Sequence, residues 1–158
     1  MTAPADGNDI SAISLCAVTA DDAIAWRRLY RAYADFYSVP MTEDILDRTW
    51  DWLLDPAHPL EGIIAAGDDG ELVGLVHYRP FPKPLLGQDA GFLDDLFVAP
   101  GRRGSGIGRA LIDAVAAVAG ERGWPLVRWI TASDNTTARR LYDDMATATP
   151  WITYDLKP

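Results

Sequence analysis

Leu96-Phe97-Val98-Ala99-Pro100-Gly101-Arg102-Arg103-Gly104-Ser105-Gly106-Ile107-Gly108-Arg109 joins an apolar strand to an amphipathic helix through a loop holding four glycines. Glycines let backbone N–H groups turn inward and approach a ligand closely. The helix that follows adds first-turn N–H donors and the positive end of its dipole. A strand, a glycine loop and a helix in this order make an anion site, phosphate above all. The segment therefore points to an α/β fold, and its ligand decides the function.

Three familiar phosphate loops can be tested against the spacing. A Walker-type P-loop starting at Gly101 places its second glycine at Gly106 and needs a lysine next, where Ile107 stands. That mismatch disfavours a nucleoside-triphosphate-binding regulator. A dinucleotide fingerprint starting at Gly104 fits Gly106 but needs a glycine where Arg109 stands, and the loop comes too late in the chain. A kinase loop needs a long catalytic region downstream.

The rest of the chain brackets these options. At 158 residues, 49% of them hydrophobic, one domain with a real core is expected. The formal net charge of −9 argues against nucleic acid as a partner and favours a cationic or neutral one. Cys16 is the single cysteine, which excludes an internal disulfide and suits a reducing, cytoplasmic setting. No apolar run reaches the ~20 residues of a membrane span. Residues 1–9 are small and polar and read as a flexible tail, leaving 10–158 as a single domain.

Periodicity orders the elements as β-α-α-β-β-β-α-β-α-β. Ile13 to Val18 reads as a strand. Thr19 and Asp22 form a capping box for a helix with Trp26, Leu29, Tyr33 and Phe36 at helical spacing. Thr42 caps a second helix, which Pro56 and Pro59 end. Gly62–Ala66 and Leu72–Tyr78 form a hairpin around Asp68-Asp69-Gly70. Pro80, Pro82 and Pro84 break the second strand into a loop. Ala90–Val98 is a strand, 107–122 a helix ended by Gly123 in the left-handed conformation. Leu126–Thr131 reads as a strand, Asn135–Met145 as a helix and Trp151–Leu156 as a last strand. The expected fold is a mixed, mostly antiparallel central sheet with helices on both faces.

The loop spacing fits Arg-x-x-Gly-x-Gly, as Arg103-Gly104-Ser105-Gly106-Ile107-Gly108. With this motif and the later "DNTTARRLYDDM", the chain resembles the GNAT superfamily of acetyl-CoA-dependent N-acetyltransferases. The agreement covers about Phe92 to Met145. "LDDLFV" is similar to "LEDxFV" of the spermidine/spermine acetyltransferase-like branch. The resemblance implies acetyl-CoA as co-substrate, no metal, and an amine acceptor attacking directly in a ternary complex. It also implies a homodimer.

Residue by residue, the resemblance gives the pyrophosphate to the backbone of Gly104, Ser105, Gly106, Ile107, Gly108 and Arg109, with charge from Arg103 and Arg109. It gives the pantetheine arm the backbone of Leu96, Phe97 and Val98. Asn135 and Tyr142 are seven residues apart, so they share a helix face about 10 Å apart with Ala138 between them. A small residue there leaves a groove for a thin chain. Asn135 can hydrogen-bond that chain or cap the helix. Tyr142 is the candidate acid that protonates the leaving thiolate, or else a core aromatic.

The base is the open point. Many relatives carry a glutamate where this chain has Ile130. By the branch resemblance Asp94 is the base. Adjacent strand residues face opposite ways, so Asp94 and Asp95 divide between two faces unless the strand bulges. Asp95 joins Tyr33 and Tyr37 as the candidate acceptor-binding set. Tyr30, Ser38, Val39, Met41 and Glu43 and the loop from His77 to Pro82 lie in the same region, where aromatics and carboxylates suit an alkylammonium. His58 and His77 show no metal spacing and read as surface or packing residues. The acceptor classes left open are polyamine, amino acid, aminoglycoside and protein lysine. A non-catalytic acyl-CoA-binding module of the same fold is the competing reading, kept alive by Ile130.

Overall fold

The computed structural model describes residues 13–158. The expected tail at 1–9, and residues 10–12 of the expected domain, lie outside the described residues. The elements run β1 Ile13–Ala17, α1 Ala23–Phe36, α2 Glu43–Leu54, β2 Glu61–Gly67, β3 Leu72–Lys83, β4 Gln88–Val98, α3 Ile107–Glu121, β5 Val127–Arg128 and α4 Thr136–Met145. The sheet has the order β1-β2-β3-β4-β5. Its first three pairings are antiparallel, and β4 with β5 is parallel. The fold is thus the mixed, mostly antiparallel α/β domain expected from the sequence.

Local chemistry sets the helix starts. The Thr19 backbone N–H donates to Asp22 at 2.8 Å, closing the capping interaction ahead of α1. The Thr42 hydroxyl accepts from the Ile45 N–H at 3.3 Å at the start of α2. Gly123, at φ 69°, ends α3 as expected.

Each face of the sheet buries its own core. On one face, Ile107, Leu111, Ile112 and Val115 of α3 pack on Ile63, Val73, Val76 and Leu93. On the other, Trp26 and Leu29 of α1 and Leu46 and Trp50 of α2 pack on Ile64, Leu75 and Phe97. Side chains of this size are worth about 1.5–3 kcal/mol each when fully buried. α4 lies on the α3 side, with Leu141, Tyr142 and Met145 half-buried against that core.

The structure corrects three expectations. β3 does not break at its prolines but runs to Lys83. Pro80 and Pro82 pair with Gly91 and Asp89 of β4, while the pairing with β2 ends at Glu61↔Tyr78. Alternate residues send their N–H groups to the same edge, so both missing donors fall on the edge that β2 has left. β5 is only two residues long, not six. The last expected strand, Trp151–Leu156, is irregular, and its apolar side chains are exposed. An alternating pattern marks a candidate strand, but a strand forms only where an edge is met in register.

Two irregularities prepare a site. The β3–β4 register passes from His77↔Asp95 to Tyr78↔Leu93, leaving Asp94 as the extra residue of a bulge. The bulge reverses side-chain parity: Leu93 and Leu96 both join the α3-side core, while Phe97 joins the α1 side. Meanwhile β5 pairs with β4 only at Gly91↔Val127 and Phe92↔Arg128. Beyond Phe92 the edge of β4 facing β5 has no strand partner among the described residues.

Candidate active site

The glycine loop leaves the end of β4 through a 3-10 turn at Pro100–Arg102. Gly104 and Gly106 take φ of 76° and 83°, the left-handed region that costs other residues about 1–2 kcal/mol. Gly106 is the N-cap of α3, and the helix closes its first turn with Ala110 N–H donating to the Gly106 carbonyl at 3.0 Å. The N–H groups of Ile107, Gly108 and Arg109 therefore have no acceptor within the helix. Backbone N–H groups so placed, next to the free edge of β4, are able to hold an anion. A phosphate-bearing donor with a thin arm fits this arrangement: donors for the phosphates at the helix end, an open strand edge for the arm.

The two arginines expected to add charge are engaged elsewhere. Arg103 Nε donates to the Val98 carbonyl at 3.0 Å, and its guanidinium lies 4.5 Å over the Phe36 ring. It ties β4 to the end of α1. Arg109 pairs with Asp144 of α4. Of the strand backbone assigned to a pantetheine arm, Leu96 and Val98 face the free edge, with the Val98 carbonyl occupied by Arg103, while Phe97 pairs with Leu75 of β3.

On α4, Asn135 is the N-cap: its side chain accepts from the Ala138 N–H at 3.4 Å. The cap engages the side-chain oxygen, and the amide nitrogen lies 3.5 Å from the Thr131 hydroxyl. Tyr142 is half-buried against Trp129, ring centroids 5.4 Å apart. Burial pushes its phenol above the ordinary range, with a further push from Tyr37. Tyr142 thus stays protonated well past neutral pH. Tyr37 stands at the end of α1.

Behind Tyr37, one face of α1 carries a row of rings. Trp26, Tyr30, Tyr33 and Tyr37 follow at spacings of four, three and four, with centroids 4.9, 5.8 and 5.1 Å apart. Asp95 reaches this row. It accepts from the Tyr30 hydroxyl at 3.1 Å, lies 2.8 Å from His77 Nδ1, and also accepts from Tyr33. Burial pushes its carboxyl up, but His77, Tyr33 and Tyr30 together outweigh that and hold it below the usual range. Asp95 is an ionised, three-quarters-buried anion.

Asp94 is its opposite. On the bulge, it pairs with Arg79 Nε at 3.0 Å. Burial pushes its carboxyl up, and Arg79 only partly offsets this. The neighbouring acids are therefore divided: one firmly ionised, one with raised proton affinity. Ile130, where many relatives carry a glutamate, is exposed.

His77 is the residue sequence reasoning missed. It is fully buried on β3 and also accepts from Trp26 Nε1 at 3.0 Å. Its only sequence signal was parity with Leu75, which places it on the α1 face. Cys16 is exposed, with its thiol pushed up by burial and by Asp22, and lies on β1, at the far side of the sheet from β4. A cavity of about 830 Å³ lies away from the glycine loop, between β5, α4 and the segment 151–153; of the expected site residues only Tyr142 lines it. Among the described residues no cluster of three His, Cys, Asp or Glu side chains offers a metal site, and no helix is long and apolar enough to cross a membrane.

The family model described as the acetyltransferase (GNAT) family matches residues 26–146. The chain belongs to that family; it is an N-acetyltransferase-type enzyme whose acyl donor is acetyl-CoA. It is 30% identical over 139 residues to the D-amino-acid N-acetyltransferase HPA3 of Saccharomyces cerevisiae, covering 87% of this chain and 86% of that one. A solved ribosomal-protein-alanine N-acetyltransferase from Brucella melitensis biovar Abortus 2308 is similar at a TM-score of 0.77 and 29% identity, over 92% of this chain and 99% of that one. The aminoglycoside acetyltransferase AAC(6')-Iy, solved with a CoA-based bisubstrate analogue, shares the fold at a TM-score of 0.79 and 19% identity, over 92% of this chain and 98% of that one.

Proposed function

We propose that this enzyme acetylates the primary amine of a small, amino-acid-like molecule, by direct attack in a ternary complex. The observation that carries the reading is the ionised Asp95 set in a wall of tyrosines beside the bulged Asp94. A fixed anion among aromatic faces suits an alkylammonium through charge and cation–π contact. The similarity to an enzyme named for D-amino acids supports the amino-acid class. The likeness to the spermidine/spermine-type branch rests on residues 93–98 alone and makes polyamines the next class to test.

The donor supplies an activated acyl carbon; the chain's residues do the rest. The N–H groups of the loop and of the first turn of α3 hold the phosphates, and the strand edge at Leu96 and Val98 orients the arm. Asp95, with Tyr33 and Tyr37, docks the ammonium. Asp94, with its raised proton affinity, takes a proton from the ammonium, directly or through water. The amine nitrogen then bonds to the acyl carbon as the carbon–sulfur bond breaks, and the second proton it sheds passes to solvent. Tyr142, kept protonated, gives its proton to the departing sulfur. The proton on Asp94 leaves to solvent, and Tyr142 regains one.

The test is release of free thiol from acetyl-CoA by the full chain across D- and L-amino acids, polyamines, aminoglycosides and a lysine peptide. Amino acids should give the highest kcat/KM. No release above hydrolysis with any amine, together with a rise in Tm on adding CoA, would instead support the acyl-CoA-binding module that Ile130 keeps in view. We further propose that two copies associate through the outer edge of β5 and the exposed Trp151, Ile152, Tyr154 and Leu156. Light scattering at micromolar concentration should then give twice the chain mass.

A further inference from the structure

Trp26, His77 and Asp95 form a file of polar side chains that core packing does not require. Three leucine-sized side chains would fill that space without the desolvation cost of polar groups. His77 has no exposed surface, and both its ring nitrogens are engaged, Nε2 with Trp26 Nε1 at 3.0 Å and Nδ1 with Asp95 Oδ2 at 2.8 Å. An indole N–H only donates. Nε2 must therefore offer its lone pair, so the ring's proton sits on Nδ1, aimed at the carboxylate. Trp26 selects the tautomer, and the tautomer makes His77 a donor to Asp95.

Two consequences follow. With Nε2 bare the imidazole carries no charge, so the carboxylate keeps its full negative charge. Among the described residues no Lys or Arg pairs with Asp95, since the nearby Arg79 is engaged by Asp94. The carboxylate is also fixed in orientation, because donors from β3 and α1 grip it from two elements. With both nitrogens committed and the ring buried, His77 is not placed to take a proton from a substrate.

We propose that His77 is a positioning residue, which with Trp26 holds Asp95 as an oriented, uncompensated anion that binds the ammonium of the acceptor. This rests on the amine-acetylating reading given above, but it concerns acceptor binding and not the chemical step. It ties acceptor affinity to a residue buried behind the site.

The test uses the full chain in three parts. Long-range nitrogen–proton NMR of histidine-labelled protein at pH 7 should show His77 Nδ1 protonated and Nε2 bare; the opposite tautomer or a doubly protonated ring overturns the proposal. Second, His77→Leu should raise KM for the amine about tenfold or more, with kcat and KM for acetyl-CoA within about twofold. Third, His77→Asn keeps a donor near the Nδ1 position and should bring KM for the amine back to within about threefold of the parent. Parallel changes in both KM values, or His77→Asn behaving no better than His77→Leu, overturn it. Should the parent acetylate no amine, the functional reading fails by itself. Calorimetric binding of D-alanine and spermidine to parent and His77→Leu then decides this inference: equal affinity, or none in either, overturns it.

Discussion

Gly91→Ala tests whether the β4–β5 junction sets the site. Gly91 is half of one of the two register pairs that join these strands, facing Val127. A Cβ at Gly91 would stand 2.8 and 3.0 Å from ring carbons of Trp124 and 3.2 Å from a Val127 methyl. The indole is rigid, and ordinary carbon contacts lie near 3.5–4.0 Å, so the ring and β5 must move by several tenths of an ångström. Overpacking of this kind costs about 1–3 kcal/mol. Removing a glycine from a strand returns roughly 0.5–1 kcal/mol. The net loss is about 1–2 kcal/mol, which lowers Tm by about 2–8 °C in a domain of this size. Differential scanning fluorimetry measures it directly. Since the strain pushes β5 from β4 at the mouth of the free strand edge, the stabilisation by added CoA should also shrink. Gly91→Ala/Trp124→Leu should be more stable than the sum of its single variants by about 1 kcal/mol, because the smaller side chain makes room for the methyl. An unchanged or raised Tm in Gly91→Ala, or strict additivity in the double variant, refutes the reasoning.

Tyr142→Phe should lower kcat about a hundredfold with KM for acetyl-CoA within about twofold, because only the acidic hydroxyl is lost; unaltered turnover removes Tyr142 from the acid role. Tyr37→Phe removes a neighbour that pushes the Tyr142 phenol up. The acid must be protonated to act, so the basic limb of kcat should move to lower pH, and a shift the other way contradicts the assignment. Arg79→Met removes the cation that holds Asp94 down against burial. Asp94 must be ionised to act as base, so the acidic limb of kcat/KM should move to higher pH; a limb that stays put assigns the base elsewhere.

The helices were legible because their signals are local. Thr19, Thr42 and Gly123 cap or end helices through contacts within a few residues, and the apolar spacing of α1 and α3 follows from the helical repeat. The glycine loop was legible for the same reason: left-handed backbone at Gly104 and Gly106 is a property of the residues themselves. The prolines of β3 misled because their cost depends on which edge β2 leaves bare, a fact of pairing. Trp151–Leu156 misled because alternation shows a willingness to pair and not a partner.

The site divides along the same line. Sequence by itself determined the α/β order and the glycine loop that opens α3, both carried by short-range spacing. Only the tertiary structure decided that Asp94 sits on a bulge and Asp95 does not, that Arg103 and Arg109 are tied to Val98 and Asp144, and that His77 stands between Trp26 and Asp95. Apart from the Arg103–Val98 bond, which spans five positions, those outcomes depend on register and on contacts between residues 18 to 65 positions apart. The protonation of each carboxylate is fixed by what surrounds it in space, and no one-dimensional pattern carries that information.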